Sequence, residues 1–151
     1  MFVVGINGDE INEYTLSTAW DVSSASFLQN FSVSAQETNP VGLFFKPDGT
    51  KMYVAGQSGD DVNEYTLSTA WDISTMSFVQ VFSVSGQDTT PAGLFFKFDG
   101  SKMYVVGSTN DTIYQYSTAA SSWTDPDLAN ASYDSVSFSV AGQELYPFEL
   151  F

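Results

Sequence analysis

The chain contains no cysteine, no histidine and no arginine, and four lysines are its whole basic complement. Without cysteine there is no disulfide framework, no thiolate nucleophile and no zinc site built on sulfur. Without histidine the commonest general base and the commonest metal ligand are missing. Without arginine there is no bidentate phosphate clamp. Against the four lysines stand 18 acidic side chains, a formal net charge of −14. That charge repels a phosphate backbone, so nucleic acid is not an expected partner. Long apolar runs are also absent. No stretch of eighteen apolar residues occurs, so no membrane insertion by a helix is expected. The opening MFVVGINGDE has neither the basic region nor the apolar segment of a secretory signal.

Aromatic residues, by contrast, make up 16% of the chain, and hydrophobic residues 43%. At 151 residues a single domain can bury about two-thirds of the surface its unfolded chain exposes. Serine and threonine together number 34 and charged residues only 15%, which describes a polar, sparsely charged surface rather than a disordered acidic tail.

An internal repeat sets the organisation. Residues 1–51 and 52–102 align without a gap and are identical at 34 of 51 positions. A third copy, 103–151, keeps this register through Tyr116, gains five residues, and regains it at Phe138. Each copy carries four short apolar runs bounded by turn signals. In the best-defined unit these are Gly42–Lys46, Met52–Gly56, Val62–Leu67 and Phe78–Val84. Pro47-Asp48-Gly49-Thr50 separates the first two, with proline presetting φ and glycine permitting the turn. Gly59-Asp60-Asp61 separates the next two, and STAWDISTM leads to the last. No segment carries an extended apolar stripe of helical period. Four short strands per unit of about this length describe the blades of a propeller. The expected fold class is therefore all-β, a β-propeller of four-stranded antiparallel blades, with three blades' worth of sequence in one arc.

The strings FFKPDGTKMYV (Phe44–Val54) and FFKFDGSKMYV (Phe95–Val105) resemble the core of YVTN-type β-propeller repeats across their first two strands. That family includes lactonases, surface-layer proteins and many modules of other kinds, so the resemblance implies a fold more than an activity. Phe98 takes the place of the turn proline in the second copy, and the STAWD connection is longer than the family's usual one. With strands labelled A to D outward from the propeller axis, the chain reads BCD-ABCD-ABCD-A. It opens on a B strand (Met1–Gly5) and closes on an A strand within Pro147–Phe151. Three blades are too few for a ring, and an unpaired sheet edge seeks a partner. Two readings stand: self-association, in which two chains close six blades, or a fragment of a longer propeller.

The same phase places the B–C and D–A loops on one face. These loops carry Asp9, Glu10, Asp60, Asp61 and Asp111, and Glu37, Asp88 and Glu144, so an acidic face is expected. Asp9, Asp60, Asp61 and Asp111 are the candidate metal ligands, with calcium the ion that carboxylates suit. No D-x-[DN]-x-D-G loop accompanies them, and aspartate also serves turns. Trp20, Trp71 and Trp123 are the candidate ligand-binding residues, as stacking platforms for sugar rings. Their repetition equally fits loop anchors packed on the outer strand of each blade. Tyr14, Tyr65 and Tyr116, with Phe44, Phe45, Phe95 and Phe96, are expected in the core between blades. Glu13 and Glu64 belong to different blades and so do not form a catalytic pair, which would need a common cleft. The expected function is a non-enzymatic binding, adhesion or scaffold module, with carbohydrate or a cationic surface as partner and a cell-surface, extracellular or virion setting. The competing expectation is a metal-dependent lactonase-type propeller enzyme.

Overall fold

The computed structural model describes residues 1–118 and 128–142. Trp123, Glu144 and the terminal strand expected within Pro147–Phe151 lie outside the described residues. Each apolar run becomes a strand because a turn former closes it on both sides. In chain order the strands are β1 (Phe2–Gly5), β2 (Glu10–Leu16), β3 (Ala25–Ser32), β4 (Pro40–Phe45), β5 (Lys51–Gly56), β6 (Asp61–Leu67), β7 (Met76–Ser83), β8 (Pro91–Phe96), β9 (Lys102–Gly107), β10 (Thr112–Ser117) and β11 (Ser132–Ser139). They form three antiparallel sheets of sequential neighbours: β1-β2-β3, β4-β5-β6-β7 and β8-β9-β10-β11. The second and third sheets each hold a strand A (β4, β8), and the first begins at strand B. Among the described residues the only helical pieces are three single 3₁₀ turns, Val22–Ser24, Ile73–Thr75 and Leu128–Asn130. The STAWD connection thus winds through a capped turn: the Asp21 and Asp72 side chains accept from the backbone N–H of Ser23 and Ser74, a normal helix N-cap.

The A–B turn forms as the sequence predicts. Gly49 sits at φ +73° and donates its N–H to the Lys46 carbonyl at 2.8 Å. Gly100 repeats this at φ +74°, bonding Lys97 at 2.7 Å, so Phe98 in place of proline leaves the turn unchanged. Each C–D pair carries a bulge at one place, between Glu13 and Tyr14, Glu64 and Tyr65, and Gln115 and Tyr116. A bulge deepens the local twist and bends the strand, and here it does so immediately before the tyrosine that packs between sheets.

The core lies between the sheets, face against face. Met52, Val54, Tyr65, Leu67, Ile73 and Met76 of the second sheet pack against Ile11, Val33, Phe2, Val4 and Phe31 of the first. The second sheet's other face, with Tyr53, Val62 and Val84, packs against Phe96, Met103, Val105, Tyr114 and Tyr116 of the third. Aromatic contacts recur at the same places. Phe2 meets Phe45 with ring centroids 4.5 Å apart, and Tyr53 meets Phe96 at 4.4 Å. Such pairs contribute beyond their buried area. Tyr65 and Tyr116 are buried as expected, whereas Tyr14, on the first sheet's open face, is half-buried.

Candidate functional site

The B–C turns come first, because they carry the candidate metal ligands. Asp9, Asp60 and Asp111 occupy equivalent turn positions at φ +50°, +50° and +47°. This left-handed conformation is one that aspartate tolerates better than most residues. Their carbonyls accept from the N–H groups of Val33, Val84 and Val140 at 2.8, 2.9 and 2.7 Å, which ties the end of strand D to the B–C turn. Each of these aspartates therefore has a backbone task in its own blade, and the three stand on three different sheets. Asp61 feels the charges of both Glu37 and Asp60. Among the described residues no group of three or more acidic side chains is gathered in a metal-holding cluster.

Glu37 and Asp88, expected on an exposed acidic face, are buried, at 1% and 2% exposure. Each D–A loop folds its carboxylate into the N–H groups of the next blade's B–C turn. Glu37 accepts from the backbone of Asn39, Ser58 and Gly59, the last two at 3.1 and 3.0 Å. Asp88 accepts from Thr90, Thr109 and Asn110 at 2.8, 3.3 and 2.9 Å. The carboxylate lies directly over a glycine of strand B. A Cβ on Gly56 would stand 1.9 Å from Glu37 Oε2, and one on Gly107 would stand 2.3 Å from Asp88 Oδ2. Backbone donors in a concave turn make a strong carboxylate seat. The sequence carried a signal for this latch, since the acid and the glycine recur at one fixed separation.

Asp61 packs beside this latch. It is 7% exposed and accepts from Asn63 Nδ2 at 2.6 Å. Burial, with the nearby charges of Glu37 and Asp60, pushes its pKa up to about 6. Its own burial, with the charges of Asp61 and Glu37, pushes the Tyr65 hydroxyl above its usual range.

The mid-strand acids are paired. Glu64, 1% exposed, accepts from Lys51 Nζ and Gln80 Nε2, both at 2.8 Å. In the third sheet Gln115 stands at the repeat position of Glu64, and Asp134 on β11 takes over the ion pair, accepting from Lys102, Gln115 and Ser117 at 2.7, 2.7 and 2.6 Å. Burial would raise the Asp134 pKa, but these bonds outweigh it and hold the group at about 2. Glu13 accepts from Gln29 at 2.8 Å. Glu13 and Glu64 thus sit in separate blades with separate partners.

The tryptophans divide. Trp71, at φ +68°, packs inward, onto the A–B turn and strand A of its own blade. Its ring lies 5.2 Å from that of Phe45, its backbone N–H donates to the Gly49 carbonyl at 3.0 Å, and a Cβ on Gly49 would stand 2.4 Å from Trp71 Nε1. The expected anchoring on the outer strand is therefore corrected to the inner turn, where the left-handed backbone of Trp71 is bonded to Gly49 and its ring lies on Phe45. Trp20 has the same backbone, at φ +67°, but its sheet has no strand A among the described residues, and it is 98% exposed. It borders an open groove of about 730 Å³ lined by Met1, Tyr14, Leu16, Ala19 and Val22. Trp123 lies outside the described residues.

No protein-family model and no curated protein matches the chain. Solved structures do resemble it. A candidate 6-phosphogluconolactonase from Bacteroides fragilis superposes with a TM-score of 0.64 at 12% identity, over 92% of this chain and 35% of its own. The periplasmic gluconolactonase of Pseudomonas aeruginosa gives 0.57 at 14% identity, over 83% and 33%. A functionally unknown protein from Desulfotomaculum acetoxidans gives 0.58 at 17% identity, over 92% and 38%. The chain thus spans between 33% and 38% of the length of these structures. At such identities the likeness concerns the fold, and the fold it shares with the lactonase-like structures is that of the β-propeller blade.

Proposed function

We propose that this chain is a non-enzymatic propeller module of the YVTN-like kind, a binding or adhesion scaffold that completes its ring by self-association. The observation that carries this reading is the employment of the repeated carboxylates. Glu37 and Asp88 are seated on backbone N–H groups, and Glu64 and Asp134 are bonded to lysine and an amide. Each does in its blade what its counterpart does in the next, which is a structural task. With histidine and cysteine absent, a nucleophile–base pair would have to come from serine–lysine or from paired carboxylates. Lys46 and Lys97 are ion-paired to the turn aspartates Asp48 and Asp99, and Lys51 and Lys102 to Glu64 and Asp134. Lys102 also donates to Ser117 at 2.7 Å, but its ion pair with Asp134 keeps it charged rather than a free base. The net charge of −14 and the turn aspartates Asp9, Asp60 and Asp111 suit a cationic surface as partner, and exposed Trp20 suits a carbohydrate ring.

A second reading, a metal-dependent lactonase-type enzyme, draws on two observations: the gluconolactonase named among the structures that resemble the chain, and the burial of Asp61, which with its acidic neighbours pushes its pKa up to about 6, toward the range where an acid–base catalyst works best. One experiment separates the two. Calcium is added at millimolar concentration while melting is followed, and gluconolactone hydrolysis is assayed in parallel. A ion that binds only the folded chain would raise its stability. The scaffold reading expects no calcium-dependent shift and no turnover. A shift lost in the Asp60→Asn/Asp61→Asn double variant, together with hydrolysis, would replace it with the enzyme.

A further inference from the structure

The repeat supplies a template for what covers the first sheet. Val3, Tyr14, Leu16 and Val22 stand one repeat before Val54, Tyr65, Leu67 and Ile73, which are 0, 0, 4 and 0% exposed because the first sheet packs on them. In the first sheet the same face is open, with Val3 43% and Val22 72% exposed. At the other end of the chain, Ile113 and Phe138 are the repeat counterparts of Ile11 and Phe31, the residues that do this covering. Phe138 is 68% exposed.

The recurring contacts point to a specific mate. Phe31 meets Tyr65 edge-on at 6.3 Å and 77°, and Phe82 meets Tyr116 at 5.5 Å and 88°. The next pair in this series is Phe138 with Tyr14. Tyr14 is already held for it: its ring stands 5.8 Å from Phe27, as Tyr65 stands 5.8 Å from Phe78. The outer strands follow the same rule. β3 packs on the 3₁₀ turn Ile73–Thr75, and β7 packs on Leu128–Asn130. The next member is β11 against Val22–Ser24.

We propose that a second copy of this chain docks head to tail, the outward face of its third sheet (Ile113, Phe138) covering the open face of the first sheet (Val3, Tyr14, Leu16, Val22). The proposal rests on the self-associating scaffold reading and names the surfaces that carry it. The occupant is a copy of the chain because the chain itself displays both halves of a contact that it already makes twice internally. All six positions are uncharged, so none of these side chains buries a charge in the apolar contact. Two copies satisfy each other at both ends, so that the described sheets of the pair, six in all, join in a closed head-to-tail assembly.

Sedimentation equilibrium of the full chain at micromolar concentration tests this with Val3→Lys and Phe138→Glu, both at exposed positions, and circular dichroism checks that each variant folds. The expected result is twice the chain mass for the unmodified protein, the single-chain mass for each variant alone, and recovery of the double mass on mixing the two. Recovery is expected because the mixed pair has one unaltered interface and one lysine–glutamate interface. If Val3→Lys fails to fold, Val22→Lys on the same face takes its place. One variant dissociating while the other stays paired would mean that like faces meet, and both staying paired would mean that another surface is used. Either result, or a mixture that stays single-chain, overturns the head-to-tail contact while leaving self-association in place. An unmodified protein of single-chain mass overturns both.

Discussion

Among the side chains, Asp61 carries the charge that opposes the fold. In the unfolded chain it titrates near 4, and in the folded chain near 6. Below the lower value both states hold the proton. Between the two values the folded state keeps a proton the unfolded state has released, so stability falls as pH rises through this window and the loss is complete above the folded value. Asp61→Asn keeps the acceptor for Asn63 and removes the charge. Urea unfolding should therefore find the variant more stable at pH 7 by about 1–3 kcal/mol, at roughly 1.4 kcal/mol per unit, with the difference vanishing near pH 4. A variant less stable than the parent at pH 7 would contradict this. The glycine under the latch gives a second prediction. Gly56→Ala must displace the Glu37 carboxylate, so it should cost more than about 2 kcal/mol, the range for breaking a buried, bonded charge. Gly86→Ala, with nothing within 4 Å of the added carbon, should stay within about 0.5 kcal/mol of the parent.

At the scale of elements, the strands and turns were legible in the sequence because their signals are local. Pro47-Asp48-Gly49 ends one run and begins the next, and β4 and β5 fall on either side of it. The latch was not legible as such. Glu37 and Asp88 read as solvated loop acids, and only the three-dimensional approach of the D–A loop to the next B–C turn reveals their donors. The tryptophans were half legible. Their repetition pointed to packing, but the surface they pack on depends on a glycine turn two strands away. Trp71 and Trp20 should accordingly part company under substitution. Trp71 is 44% exposed, and Trp71→Ala, which loses its contacts with Phe45 and the Gly49 turn, should cost about 1–2 kcal/mol, below the range for a fully buried aromatic. Trp20→Ala, at a nearly fully exposed site, should change stability by less than about 0.5 kcal/mol. Equal losses in chemical denaturation would mean that the Trp20 ring itself is covered in solution.

For the whole molecule, the sheets repeat their contacts faithfully enough that each blade reports on the next. Tyr65 is buried because the first sheet exists, and Tyr14 is half-buried because no sheet precedes it among the described residues. Propeller closure is a matter of covering these end faces, and an apolar face left open in water costs about 25 cal/mol for each square ångström that a partner could have covered. This is the physical reason for expecting association from a chain whose like charge would otherwise keep copies apart. The most direct test is the mass of the unmodified chain by sedimentation equilibrium at micromolar concentration and moderate salt. The account predicts a single species of twice the chain mass that does not dissociate on tenfold dilution. A folded species of single-chain mass would contradict it.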